Sequence, residues 1–178
     1  DRAGYLEQPY TSAGRIPTSS AYQHYIAYEF QPKLPTAKEQ QKINEIMKTS
    51  QTGDRRTAVK ELSRTLSDLS GQFVLTAFAD NDFYYTGLSN LFSQPEFAAQ
   101  NIICNLSQVI DHLDRRLAKL FYQVNDQLRV FVGTDNPIDA CLSLLAIKPD
   151  NKLLLAILGP MRMKYEVNVG LLEYCKKL

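Results

Sequence analysis

The residues able to do chemistry are few and scattered. "DND" at Asp80 to Asp82 sets two carboxylates two residues apart, a spacing that suits a cation or acid–base work. Its plainer reading is a polar turn between two strands. Cys141, just after "TDNPID", offers a thiol, but no base is identifiable at a spacing that would activate it. His24 and His112 fall in helical stretches with no Cys, Asp or Glu at metal-ligand spacing. "GPMRMKY" at Gly159 to Tyr165 places Arg162 and Lys164 before the last helix, where an anion, a structural turn or a partner surface would each fit. No Gly-rich phosphate loop, G-x-G-x-x-G pattern or Ser nucleophile elbow is present. The expectation is a protein that is not an enzyme and carries no cofactor or metal.

Composition narrows the classes further. The 178 residues are 44% apolar and 22% charged, ordinary for a folded domain. Net charge is +1, so composition does not announce nucleic acid. The longest apolar run, Leu153 to Leu158, is far short of the ~20 residues that span a bilayer. The polar N-terminus does not read as a secretory signal. Without an initiator Met, residue 1 is expected not to begin the natural product. Cys104, Cys141 and Cys175 read as reduced thiols rather than a disulfide framework or zinc site. A cytoplasmic location and no membrane association are expected.

The elements that must position these residues follow from pattern. Tyr5 to Pro9 and Gly14 to Pro17 read as two short strands around "YTSAG", with Gly14 expected at positive φ. Thr18, Ser19 or Ser20 caps a short helix whose apolar face holds Tyr22, Ile26 and either Tyr25 or Phe30. "QPKLP", Gln31 to Pro35, is the linker candidate. A mostly polar helix from Ala37 carries a thin stripe at Ile43, Ile46 and Met47. Val59, Leu62, Leu66 and Leu69 mark an amphipathic helix that Gly71 stops. "QFVLTAF" and "FYYTG" read as strands. Pro95 opens a long helix with a stripe at Ile102, Leu106, Val109, Leu113, Leu117 and Leu120. Three strands follow, "LRVFVG", "ACLSLLAI" and "KLLLAILG", the last two joined by the turn "KPDN". A helix with lysines in its last turn closes the chain. This order is α+β, with helices packed on an antiparallel sheet, similar to the PAS and GAF architecture.

Four segments carry a resemblance to a known family. "GYLEQPYTSAGRIPT" (Gly4 to Thr18), "GLSNLFSQPEF" (Gly87 to Phe97), "VFVGTDNPI" (Val130 to Ile138) and "GPMRMKYEVNVGLLEYCKKL" (Gly159 to Leu178) resemble the HrcA family of heat-inducible transcription repressors. The resemblance implies a winged-helix DNA-binding domain followed by a GAF-like domain. It also implies a dimer on an inverted-repeat operator upstream of chaperone genes, with a chaperonin keeping the repressor active. On this reading residues 1–35 are the C-terminal part of the winged-helix domain, 36–53 a linker helix and 54–178 the GAF-like domain. The opening hairpin is then the wing, cut off from the recognition helix that precedes it in the family.

Within that wing Thr11 and Ser12 offer hydroxyls, Gly14 allows close backbone approach and Arg15 supplies a cation for phosphate. The plainer reading has these residues closing a turn, with Arg15 solvated. Residues 1–35 hold three basic and three acidic side chains, so this piece alone has no electrostatic grip. Family members carry an extra dimerising domain in the GAF-like part, and the short passage from Phe78 to Phe83 leaves no room for it. Ile43, Ile46 and Met47 are therefore dimerisation candidates, or else they pack on their own domain. A different class also stands: a GAF-like module that binds a protein or ligand but no DNA.

Overall fold

Short polar side chains set where the helices begin. The computed structural model describes residues 3–8, 14–79, 82–97 and 109–176. A two-stranded hairpin of β1 (Leu6–Glu7) and β2 (Ile16–Pro17) leads into α1 (Ser19–His24), which Thr18 caps. The chain continues through one π-turn, Tyr25–Glu29, before the proline-bounded segment to Pro35. Helix α2 (Ala37–Thr52) starts behind a capping box. The Thr36 hydroxyl accepts the Glu39 N–H at 3.4 Å, and the Glu39 carboxylate accepts the Thr36 N–H at 2.6 Å. That backbone hydrogen bond holds the Glu39 carboxyl below its ordinary pKa. Helix α3 (Arg55–Ser70) starts behind Asp54 and stops at Gly71, whose left-handed φ of 65° lets its N–H reach the Ser67 carbonyl.

Five antiparallel strands form the sheet: β3 (Phe73–Ala79), β4 (Asp82–Thr86), β5 (Arg129–Val132), β6 (Leu142–Asp150) and β7 (Leu153–Pro160). Their order is β4-β3-β7-β6-β5, so β7 sits in the middle, and every residue of it is buried. A strand covered on both faces has no reason to alternate polar and apolar residues, which accounts for "LLLAIL". Val74, Leu145, Ile147, Leu155 and Ile157 point to one face, under α2, α3 and the final helix, α6 (Tyr165–Lys176). Phe73, Leu75, Leu144, Leu154 and Leu158 point to the other, under α4 (Leu88–Phe92) and α5 (Leu113–Gln123). The expected α+β architecture is present, with both faces of its sheet covered by helices.

The structure differs from the sequence reading in places. Ile43 and Ile46 are buried against Val59 and Leu62, and Met47 packs at the rim of that core. Of the two readings of the α2 stripe, packing on its own domain holds for Ile43 and Ile46, while Met47 is left partly exposed. Glycines at positive φ are Gly4, Gly71, Gly87 and Gly133 among the described residues, and Gly14 is not one of them. The left-handed residue lies at the base of the hairpin, where the Thr18 hydroxyl donates to the Gly4 carbonyl at 2.7 Å. Pro95–Phe97 is a single 3-10 turn. The backbone leaves helical geometry at His112 (φ −115°, ψ 16°) before α5, so the stripe from Val109 to Leu120 is not one unbroken helix. Ile102 and Leu106 lie outside the described residues.

One buried polar contact ties α3 to the sheet. The Ser63 hydroxyl donates to the Val59 carbonyl at 2.8 Å and meets the Thr76 hydroxyl at 2.7 Å, with both side chains fully buried. Replacing Ser63 by Ala strands the Thr76 hydroxyl, at a cost of about 1–3 kcal/mol. The double change Ser63→Ala/Thr76→Val removes the stranded group as well and is expected to recover part of that loss in urea unfolding.

Candidate functional site

Hairpin and first helix are too short to stand alone: two-residue strands and a six-residue helix lie below the size at which either is stable in water. Their position is set by what they touch. Thr18 knots them together, its N–H donating to the Tyr5 carbonyl at 3.0 Å and its hydroxyl accepting the Ala21 N–H at 3.3 Å. α1 then lies against the rim of the sheet domain. Ser19 donates to the Met161 sulfur at 3.6 Å, and Gln23 donates from Nε2 to the Asp135 carboxylate at 2.8 Å. The ring of Tyr22 lies 6.2 Å from that of Tyr165, and the Tyr25 hydroxyl donates to the Glu166 carboxylate. Past the π-turn, the Lys33 N–H donates to the Glu166 carbonyl at 2.8 Å. Glu166 therefore holds two successive segments with one residue.

Two glycines are required by this approach. Gly133 ends β5 with φ 62°, and a Cβ there would overlap Ser19. Gly170, on the second turn of α6, faces the Lys33 carbonyl so closely that a Cβ would overlap it. Beneath the contact, Tyr165 is almost wholly buried, its hydroxyl 2.6 Å from both the Met161 carbonyl and the Ser143 hydroxyl. Desolvation pushes the Tyr165 phenol well above its ordinary pKa. Arg162 turns outward and pairs with both Glu96 oxygens and with Gln94 at 3.1 Å, so it also fastens the segment after α4. Half-exposed, this pair orients more than it stabilises. A groove of about 520 Å³ remains between the two parts, lined by Tyr5, Leu6, Tyr22, Tyr25, Arg162 and Tyr165. The four segments singled out in the sequence all reach this junction: hairpin, Glu96 and Gln94, Gly133 and Asp135, and the start of α6.

The sequence-predicted site residues sit elsewhere. Thr11 and Ser12 lie outside the described residues. Gly14 and Arg15 are exposed on the hairpin, with open space around Gly14. Ile43, Ile46 and Met47 are the core contacts already described. Asp82 is held by Arg56 at 2.7 Å, and Asp80 lies outside the described residues. Burial and the neighbouring Asp139 carboxylate push the Cys141 thiol up, opposite to what a nucleophilic thiolate needs. Among the described residues no group of three or more His, Cys, Asp or Glu could hold a metal ion, and no helix is long and apolar enough to cross a membrane. Sequence reasoning missed Ser19, Gln23, Asp135 and Glu166 as partners. Their only signal was membership, or near-membership, of the four segments.

Comparison with known proteins gives a consistent result. Residues 30–169 match the family model described as HrcA protein C terminal domain. The chain is 30% identical over 128 residues to a heat-inducible transcription repressor HrcA of Acholeplasma laidlawii, covering 66% of this chain and 36% of that protein. It is 25% identical over 175 residues to the HrcA of Halalkalibacterium halodurans, covering 97% of this chain and 50% of that protein. The chain thus spans half or less of the length of these relatives. A crystal structure described as that of a hypothetical protein at 2.2 Å resolution shares the fold, with TM-score 0.67 at 14% identity, over 99% of this chain and 81% of that one.

Two substitutions test the junction. Gly133→Ala should release α1, through overlap with Ser19 and a left-handed strain of about 1–2 kcal/mol. Limited proteolysis should then cut between residues 19 and 35 while the sheet core stays protected. Tyr165 gives a pH test. Above about pH 10 the unfolded chain loses the phenol proton and the folded chain keeps it, so stability falls as pH rises. Tyr165→Phe should flatten this alkaline decline, measured by urea unfolding between pH 8 and 11, while lowering stability at pH 8.

Proposed function

The chain belongs to the HrcA family, and from that premise we propose that it is part of a repressor of heat-shock gene transcription that binds an inverted-repeat operator as a dimer. The observation that carries this reading is the convergence of the four family-like segments on one junction. A family pattern spread along the chain gathers where hairpin and α1 meet the sheet domain. A protein that must hold a DNA-contacting hairpin at a fixed angle to a second domain needs such a joint. The hairpin acts as a wing on the phosphate backbone, with Arg15 as its cation and Thr11, Ser12 and Gly14 around it. Reading of base edges belongs to a recognition helix in the full-length protein.

The remaining roles follow the same premise. Residues 1–35 serve the winged-helix domain, 36–53 form the connecting helix, and 54–178 form a GAF-like domain, a reading supported by the antiparallel sheet and its covering helices. Ile43 and Ile46 are already taken up in the core, so α2 contributes to a dimer through Met47 at the rim. The chaperonin acts on the assembled repressor in the cytoplasm.

Operator binding across a salt series tests this. The full-length protein should bind the inverted repeat at roughly 10⁻⁸ M and discriminate against a scrambled repeat. This chain alone should bind both at about 10⁻⁴ M or weaker. Arg15→Ala in the full-length protein should weaken binding to the two duplexes alike and lower the salt slope by about one. Failure of the full-length protein to discriminate would leave a GAF-like interaction module as the better reading.

A further inference from the structure

We infer that the open edge of β4 is a docking edge for an extended, acidic segment of a partner protein. β4 is the last strand of the sheet, and among the described residues nothing pairs with its outer side. A strand edge offers a row of unpaired N–H and C=O groups to another chain. What distinguishes this edge is the helix above it. Arg56 of α3 meets Asp82, Lys60 and Arg64 lie over the ring of Tyr84 at 5.4 and 5.8 Å, and Ser67 abuts Gly87. α3 therefore runs beside β4 in the same direction, with a cation every four residues.

The spacings agree. Four residues of helix rise about 6 Å, and side chains on one face of a strand repeat every ~6.7 Å. β4 already uses this match once, since Asp82 is paired with Arg56. Lys60 and Arg64, next along the column, lie over the Tyr84 ring, and among the described residues no carboxylate pairs with either. A strand added beside β4 would bring alternate side chains under α3, where carboxylates would meet these two cations. Its other face would lie beside Phe83 and the half-exposed Tyr85, which favours apolar residues there. The occupant is therefore an extended segment alternating acidic and apolar residues, joined by strand addition.

Charge decides against the other occupants. A second copy pairing through its own β4 would bring two Lys60–Arg64 columns together on one face, so the cations that attract an acidic strand keep a like strand away. Nucleic acid would find two uncompensated cations, too few for a stable grip on phosphates. The edge stands whether or not the protein represses transcription.

The test is an NMR titration of the whole chain with two blocked peptides, Thr-Val-Glu-Val-Glu-Val-Thr and its lysine counterpart, and with a random-sequence DNA duplex. The glutamate peptide should shift and protect amides within Asp82 to Thr86, and the lysine peptide should bind roughly tenfold more weakly. Lys60→Glu/Arg64→Glu should reverse that order. If that variant fails to fold, Lys60→Gln/Arg64→Gln should abolish the preference. Equal binding of the two peptides, no binding of either at millimolar concentration, or shifts away from β4 would overturn the inference. So would a duplex, or dimerisation through β4, that occupies the edge in place of the peptide.

Discussion

Everything N-terminal to the sheet domain depends on the first turn of α6. There Tyr165 is buried with its hydroxyl held by Ser143 of β6 and the Met161 carbonyl, while the next residue faces outward and holds Tyr25 and Lys33. Removing a phenol from water is favourable only if its hydroxyl is fully matched, and two partners at 2.6 Å match it. That fixes where α6 begins, and so where Glu166 points. A hairpin and helix with no core of their own then acquire a definite position from two hydrogen bonds to Glu166, one to Asp135 and the fit of Ser19 over Gly133. The joint combines apolar packing of Tyr22, Tyr25, Ile26 and Phe30 onto the sheet domain's core with side-chain hydrogen bonds that set its orientation. Such a joint holds geometry at modest energetic cost and yields before the sheet does.

Near-neutral net charge conceals how the surface is divided. Arg55, Arg56 and Arg162 are each matched by a carboxylate, at Asp150, Asp82 and Glu96. Among the described residues Lys60 and Arg64 are matched by the face of Tyr84 and by no carboxylate. The +1 total is thus a sum of compensated pairs and local exceptions, and the exceptions carry the information about partners. Composition could exclude a strongly basic nucleic-acid binder, but it could not find a two-residue cationic column above an open strand.

Much of the fold was legible because it rests on local rules. Thr18 caps a helix, Gly71 stops one, and the spacing of Val59, Leu62 and Leu66 names the buried face of α3. The insertion of β7 between β3 and β6 was not legible, since strand order is decided by contacts between residues far apart in sequence. The Gly14 expectation failed for a related reason. A short hairpin is closed by what its base touches, and Thr18 placed the left-handed residue at Gly4. Ile43, Ile46 and Met47 were ambiguous, because so thin a stripe has the same pattern whether it faces its own domain or a partner. The junction was the least readable. Its contacts join residues 66 or more positions apart, most of them over a hundred, and only the family-like segments hinted that those residues belong together.

Hairpin-bearing α1 and the sheet domain form one mechanical unit through Glu166. Native-state hydrogen exchange at the Lys33 amide tests it most directly, because that N–H is held only by the Glu166 carbonyl across the junction. Protection well above that of an open loop is expected, lost selectively in Gly170→Ala, whose Cβ would push the Lys33 carbonyl away, while the amides of β7 keep theirs. Exchange of Lys33 at the rate of an unstructured peptide in the unaltered chain would contradict it.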